Sequence, residues 1–250
     1  MKLRLLLLLL LLAPALAQPS HLDTIREKGV MVVGTPGDYP PFAVRRGDTY
    51  EGLDVDLVRL AARALKAEVQ FVPTDWNNLA QGLTEGRYDL AVGGITRTLA
   101  RAADGAFTRP YLSIGKSPLA RLEDAYRFRD LASIDQPGVR VAVNPGGTNE
   151  TFARAHLKKA TIVVFEDNLS IPEAIATGKA DVMFTDNIEA RLVARRDQRL
   201  AAIRPDAPLT RETLGWMAPR DDQAFLNWLN LFLEQTELEG ELERVKSVWF

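Results

Sequence analysis

Residues 139–150 read VRVAVNPGGTNE: an apolar run, then two glycines among three small polar side chains, leading into a helix-like segment at 151–159, TFARAHLKK. A strand that turns through glycine into a helix is the repeating unit of an α/β fold. The plainest account of the turn gives Gly146 and Gly147 left-handed or strained dihedrals and makes Thr148 the helix cap. The same turn can also grip a ligand. A helix start presents unpaired N–H groups and partial positive charge, and glycine lets a bound group come close to them.

Working outward, strand-like and helix-like patterns alternate along the chain. Apolar runs at 31–34, 69–72, 90–92, 118–120, 140–143, 162–165 and 182–184 read as strands. Helical spacing of apolar residues over 53–66 (Leu57, Leu60, Ala61, Ala64, Leu65), and helical segments near 77–84, 149–157, 171–177 and 187–196, separate them. Two Pro/Gly-punctuated stretches, 107–118 (FTRPYLSIGKSP) and 204–216 (RPDAPLTRETLGW), read as crossings between lobes. On that reading 18–112 plus 210–250 form the first lobe and 113–209 the second. A chain that leaves a lobe and returns to it is typical of a hinged, two-lobed binding fold with its ligand in the cleft.

The first 17 residues, MKLRLLLLLLLLAPALA, have the basic start, leucine core and A-x-A end of a secretory signal peptide. The leucine core falls far short of the ~20 residues needed to span a bilayer, so a soluble exported protein in the periplasm, without a membrane anchor, is expected. Removing the leader takes two of the 31 basic residues and leaves 29 against 33 acidic groups, a net charge of −4. That balance makes nucleic acid an improbable partner. The chain has no cysteine, so its lobes must be held by hydrophobic cores. His21 and His156 are the only histidines, and neither has metal-ligand spacing; His156 reads as part of a solvated basic face. Neither a metal, a cofactor nor a Ser-His-Asp triad is expected, and no G-x-S-x-G nucleophile motif supports a hydrolytic or lytic enzyme.

GDYPPF at 37–42, YEGLDVDLVRLAARAL at 50–65 and GGITRTLAR at 93–101 together resemble the bacterial periplasmic solute-binding proteins of the polar amino-acid type, over essentially the whole mature chain. IDQPGV at 134–139, NPGGTNE at 144–150, FARAHLKKA at 152–160 and GKADVMFTDNIEARL at 178–192 are similar to one enzymatic branch of that family, the cyclohexadienyl dehydratases, which aromatise prephenate or arogenate. The resemblance implies a two-lobed periplasmic-binding-protein-like α/β fold and a small-molecule substrate in the cleft. It implies Arg101 as a two-pronged clamp on the substrate α-carboxylate, a task suited to guanidinium geometry. It implies Asp186 as the partner of an α-ammonium. Asp38, Tyr39, Phe42 and Trp76 would form the first-lobe wall and supply flat apolar surface for a ring. Thr96 belongs to the same wall. Asn144, Thr148 and Asn149 would form the second-lobe half, with an asparagine donating a hydrogen bond without adding charge.

Prephenate must lose water from ring C4 and its ring carboxylate as carbon dioxide. Hydroxide is a poor leaving group, so the chemistry calls for a general acid at that hydroxyl. The resemblance places Glu189 there, with Lys116 and Asn149 as catalytic partners. Asp186-x-x-Glu189 also reads as a capping box, with Asp as N-cap and Glu at N3. A working acid must keep its proton near neutral pH, which enclosure in a dry cleft would favour. Lys116 would act at a substrate carboxylate, at the ring or at the hydroxyl. The rival function is a non-catalytic amino-acid-binding protein serving a transporter; Arg101 and Asp186 fit both readings, and Glu189 with Asn149 and Lys116 separates them. Thr96 and Arg97 depart from the dehydratase pattern, which has a smaller hydroxyl residue and a neutral one, and these departures bear on pocket shape.

Overall fold

The computed structural model describes residues 19–250, so the leader expected over 1–17 lies outside the described residues. Two five-stranded sheets organise the chain. The first runs in the order Glu68–Pro73, Val30–Thr35, Leu90–Ala91, Met217–Ala218, Ala106–Phe107. Its first three strands are parallel, and Met217–Ala218 lies antiparallel to both neighbours. The second runs in the order Thr161–Val164, Arg140–Val143, Val182–Asp186, Lys116–Arg121, Leu200–Ala202, with Lys116–Arg121 antiparallel to the strand on either side.

Each sheet has its own core. Against the first pack Leu53, Leu57, Val58 and Ala61 of the helix Leu53–Ala64, together with Phe225, Leu229 and Leu233 of the helix Gln223–Leu238. That helix and the next, Glu241–Trp249, return to the first lobe after the chain has built the second. Sequence reading did not single them out. Phe128, Val141, Phe152 and Phe184 fill one face of the second sheet, and Leu119, Ile171, Ile175 and Met183 the other. The lobes are joined where Leu112–Ile114 pairs antiparallel with Glu212–Leu214 in a two-stranded ribbon.

The elements foreseen from periodicity are present with small shifts. The helix after NPGGTNE spans Thr148–His156, earlier than the 151–159 stretch, because Gly147 in extended backbone is its N-cap. Thr148 is therefore a first-turn residue and not the cap, and no side chain caps this end. Of the two glycines, Gly146 is the one with a left-handed φ of 75°. A Cβ there would stand 2.4 Å from the Asn77 side chain of the first lobe, so glycine permits the two lobes to meet. His156 is exposed and stacks on Phe152.

Candidate active site

The polar residues that meet in the cleft follow the carboxyl ends of strands, where open α/β sheets present their ligand-binding loops. Asp38 and Tyr39 follow Val30–Thr35, Trp76 follows Glu68–Pro73, and Thr96 follows Leu90–Ala91. From the second lobe, Asn144 follows Arg140–Val143, and Asp186 ends Val182–Asp186. Lys116 begins the antiparallel neighbour and lies directly opposite Asp186 in the register. The cross-strand position explains why these two side chains meet.

Hydrogen bonds cross the cleft. The Tyr39 hydroxyl donates to Asp186, Asn168 Nδ2 donates to the Asp38 carbonyl (3.0 Å), and the hydroxyls of Thr96 and Thr148 lie 3.4 Å apart. Between the lobes remains a small cavity of about 20 Å³, walled by Tyr39, Trp76, Thr96, Asn144, Thr148 and Asn149 among others. At this size the cavity has room for about one water, so a ring-sized ligand requires the lobes to move apart. Asn149 Oδ1 and Asn168 Oδ1 are buried and receive no hydrogen bond. Orphaned polar atoms facing a cleft are unusual in a folded interior and mark it as a place for a polar ligand.

The two acidic residues of TDNIEA have unlike settings. Asp186 Oδ1 accepts from the Lys116 ammonium (2.7 Å) and Oδ2 from the Tyr39 hydroxyl. Lys116, only 1% exposed, also donates to Thr148 Oγ1 at 2.9 Å. Glu189 is buried and accepts from one hydroxyl, that of Thr185. The capping box is not formed: Asp186 is the N-cap of the helix Asn187–Arg196, but its side chain makes no capping bond. Asp186 thus lines the cavity, whereas Glu189 is buried one helical turn behind it, bonded to Thr185 and not among the lining residues.

Burial pushes the Glu189 carboxyl up to about 8, against the pull of the Thr185 hydroxyl; the charges of Asp186 and Asp38 add to the rise, and Lys116 opposes it. Glu189 therefore holds its proton at neutral pH and can donate it. Asp38 is raised to about 6, chiefly by burial, although Trp76 Nε1 donates to its two oxygens at 3.0 and 3.1 Å. The Tyr39 phenol is held well above its usual range by burial and by the neighbouring carboxylates of Asp186 and Glu189. It stays a neutral donor.

Arg101 does not line the cavity but borders a neighbouring depression with Trp76, Gly146 and Thr148; it lies over the Trp76 ring at 5.6 Å, and its Nη1 donates to the Thr96 carbonyl at 3.2 Å. Burial lowers it to about 10, which leaves it cationic at neutral pH. Phe42 departs from the expectation of a wall residue. It is fully buried behind Tyr39, ring centroids 5.0 Å apart, and belongs to the first-lobe core. It supports the wall without being its surface. Arg97 points away from the cleft, toward a depression at the ribbon that it shares with Arg211 and Glu212, so its charge does not enter the pocket.

Sequence reading missed Asp54, Thr185 and Asn168. Asp54 is fully buried, and its Oδ2 accepts from the backbone N–H groups of Gly93 and Gly94, both at 2.7 Å. This fixes the turn beneath Tyr39, where a Cβ on Gly94 would stand 2.6 Å from the ring. A carboxylate sharing a helical stripe with Val58, Ala61 and Leu65 was the available signal. Thr185 offered only a hydroxyl at the end of an apolar strand. Asn168, in EDNLS, has the composition of an ordinary turn.

The model of the bacterial extracellular solute-binding proteins, family 3, matches residues 31–250. A curated cyclohexadienyl dehydratase of Pseudomonas aeruginosa is 44% identical over 244 residues, covering 97% of this chain and 91% of that protein. The L-cystine-binding protein of Escherichia coli K12 is 22% identical over 94% of this chain and 87% of its own length. Among solved structures, an ancestral amino acid-binding protein described as a precursor of cyclohexadienyl dehydratase superposes with a TM-score of 0.86 at 33% identity, covering 92% of this chain and all of the other. An ancestral cyclohexadienyl dehydratase is 46% identical over 93% of this chain and 97% of its own, with a TM-score of 0.58.

Proposed function

We propose, from the premise that this chain belongs to the bacterial extracellular solute-binding proteins of family 3, that it is a cyclohexadienyl dehydratase acting in the periplasm. Its substrates on this reading are prephenate, giving phenylpyruvate, and arogenate, giving phenylalanine. The observation that carries the reading is Glu189: a buried carboxyl group one helical turn from Asp186, at the edge of a cleft otherwise furnished as an amino-acid site, where burial favours its protonated form. A binder has no need of such an acid.

In the reaction, Glu189 gives its proton to the C4 hydroxyl oxygen and the C4–O bond breaks with release of water. The bond between the ring and its carboxylate breaks as carbon dioxide leaves, and its electron pair completes the aromatic ring. One proton is consumed, so Glu189 must be recharged from solvent before the next turnover. Arg101 holds the side-chain carboxylate, Asp186 meets an α-ammonium where there is one, and Trp76 and Tyr39 flank the ring. Asn144, Thr148 and Asn149 supply neutral polar contacts near the departing groups. Lys116 orders the floor through Asp186 and Thr148.

The test is to mix purified protein with each substrate and follow phenylpyruvate and phenylalanine. Formation faster than the spontaneous reaction is expected. No product, together with tight binding of an amino acid, would turn the assignment to a transporter-binding protein, the reading that Arg101 and Asp186 alone would also support.

Turnover in a closed cleft requires opening, and we place the hinge at the ribbon Leu112–Ile114 with Glu212–Leu214, the lobes dividing near 112 and 210. Solution scattering is expected to give a smaller radius of gyration with an unreactive substrate analogue than without it. An unchanged profile at saturating analogue, with the free protein shown to be open, contradicts the hinge.

A further inference from the structure

Lys116 Nζ has three protons and only two hydrogen-bond partners, Asp186 Oδ1 at 2.7 Å and Thr148 Oγ1 at 2.9 Å. A second carboxylate, Glu212 Oε2, stands 3.6 Å from the same nitrogen, beyond hydrogen-bond distance. That oxygen is buried and has no hydrogen-bond partner. Glu212 Oε2 is thus ion-paired with Lys116 but not hydrogen-bonded to it, and a short movement of the ammonium would complete that bond.

The backbone sets the two groups side by side. Glu212 pairs with Ile114 across the hinge ribbon, two residues before Lys116. The Lys116 N–H donates to Thr210 Oγ1 at 2.9 Å, and its carbonyl accepts from the Leu209 N–H at 2.7 Å. Lys116 is thus tied to the segment that carries Glu212, whereas Asp186 reaches across to Tyr39 of the first lobe.

Both Asp186 oxygens are occupied in this closed form. An α-ammonium arriving at Asp186 meets a buried like charge at Lys116, which must move or be repelled. An α-keto group brings no such conflict. We propose that Glu212 is a positioning residue that takes up the Lys116 ammonium when a substrate ammonium displaces it from Asp186, so that it favours amino over keto substrates. This rests on the dehydratase reading above.

The experiment compares Glu212→Gln and Glu212→Asp with wild type on arogenate and prephenate, with thermal melts to confirm folding. Glu212→Gln is expected to lower kcat/KM for arogenate about tenfold, the scale of one hydrogen bond to a charged group, and to leave prephenate within about twofold. Glu212→Asp, with the charge kept and the reach shortened, falls between, and it carries the same comparison if the Gln variant does not fold. Equal losses on both substrates mean a merely structural role and overturn the proposal, as does an unmoved ratio. Wild-type protein inert toward both substrates overturns the dehydratase reading itself, which is a distinct result.

Discussion

Glu189→Gln is expected to leave fold and substrate binding intact while lowering kcat by roughly 10²–10⁴-fold, the usual contribution of a positioned general acid. Glutamine matches the protonated side chain in size and neutrality, and its amide oxygen can still accept from the Thr185 hydroxyl. Because Asp186 and Glu189 do not form a capping box, the change takes no cap from the helix Asn187–Arg196. The amide has no proton to give the leaving hydroxyl, so the loss belongs to kcat and not to KM. Wild-type kcat in a folded Gln variant removes Glu189 from the acid role.

Asp186→Asn is expected to change the ratio of kcat/KM values for arogenate and prephenate by about thirtyfold, or about 2 kcal/mol, against arogenate, on the scale of one hydrogen bond to a charged group. Arogenate carries an α-ammonium where prephenate carries a keto group, and only the ammonium loses a charged partner in a desolvated cleft. The structure adds a reason for both rates to fall as well. Asp186 pairs with Lys116, and its charge helps to raise the proton affinity of Glu189. The effect on Glu189 acts on either substrate and cancels in the ratio. An unmoved ratio, measured in wild type and variant side by side, shows that Asp186 does not receive the ammonium.

Periodicity alone was enough to read the alternation of strands and helices, because buried parallel strands and amphipathic helices write their burial into the spacing of apolar residues. The parallel strand Arg140–Val143 and the helix Asn187–Arg196 were legible to the residue. The helix start at Thr148 was not, since a glycine N-cap in extended backbone leaves no polar side-chain signature. Within the site, Tyr39, Lys116 and Asp186 were named from family resemblance, but their mutual bonding depends on a cross-strand register and on lobe closure, neither of which spacing encodes. Phe42 illustrates the converse. Its motif implied a wall, and only packing reveals that Tyr39 stands between it and the cleft. Arg97, next to Thr96 in sequence, faces the depression beside the two-stranded ribbon while Thr96 faces Thr148, because adjacent residues of extended chain point to opposite sides.

Burial favours the protonated form of Glu189 at neutral pH. The pH dependence of kcat for prephenate tests this directly, because that quantity reports ionisations of the closed enzyme–substrate complex. Glu189 is raised from 4.5 to about 8, so the competent protonated form dominates below that value and is lost as pH rises through it. The rate constant is expected to hold through neutrality and then fall by about tenfold per pH unit above the midpoint. A descending limb near the ordinary glutamate value, or a rate that rises as Glu189 ionises, contradicts the account.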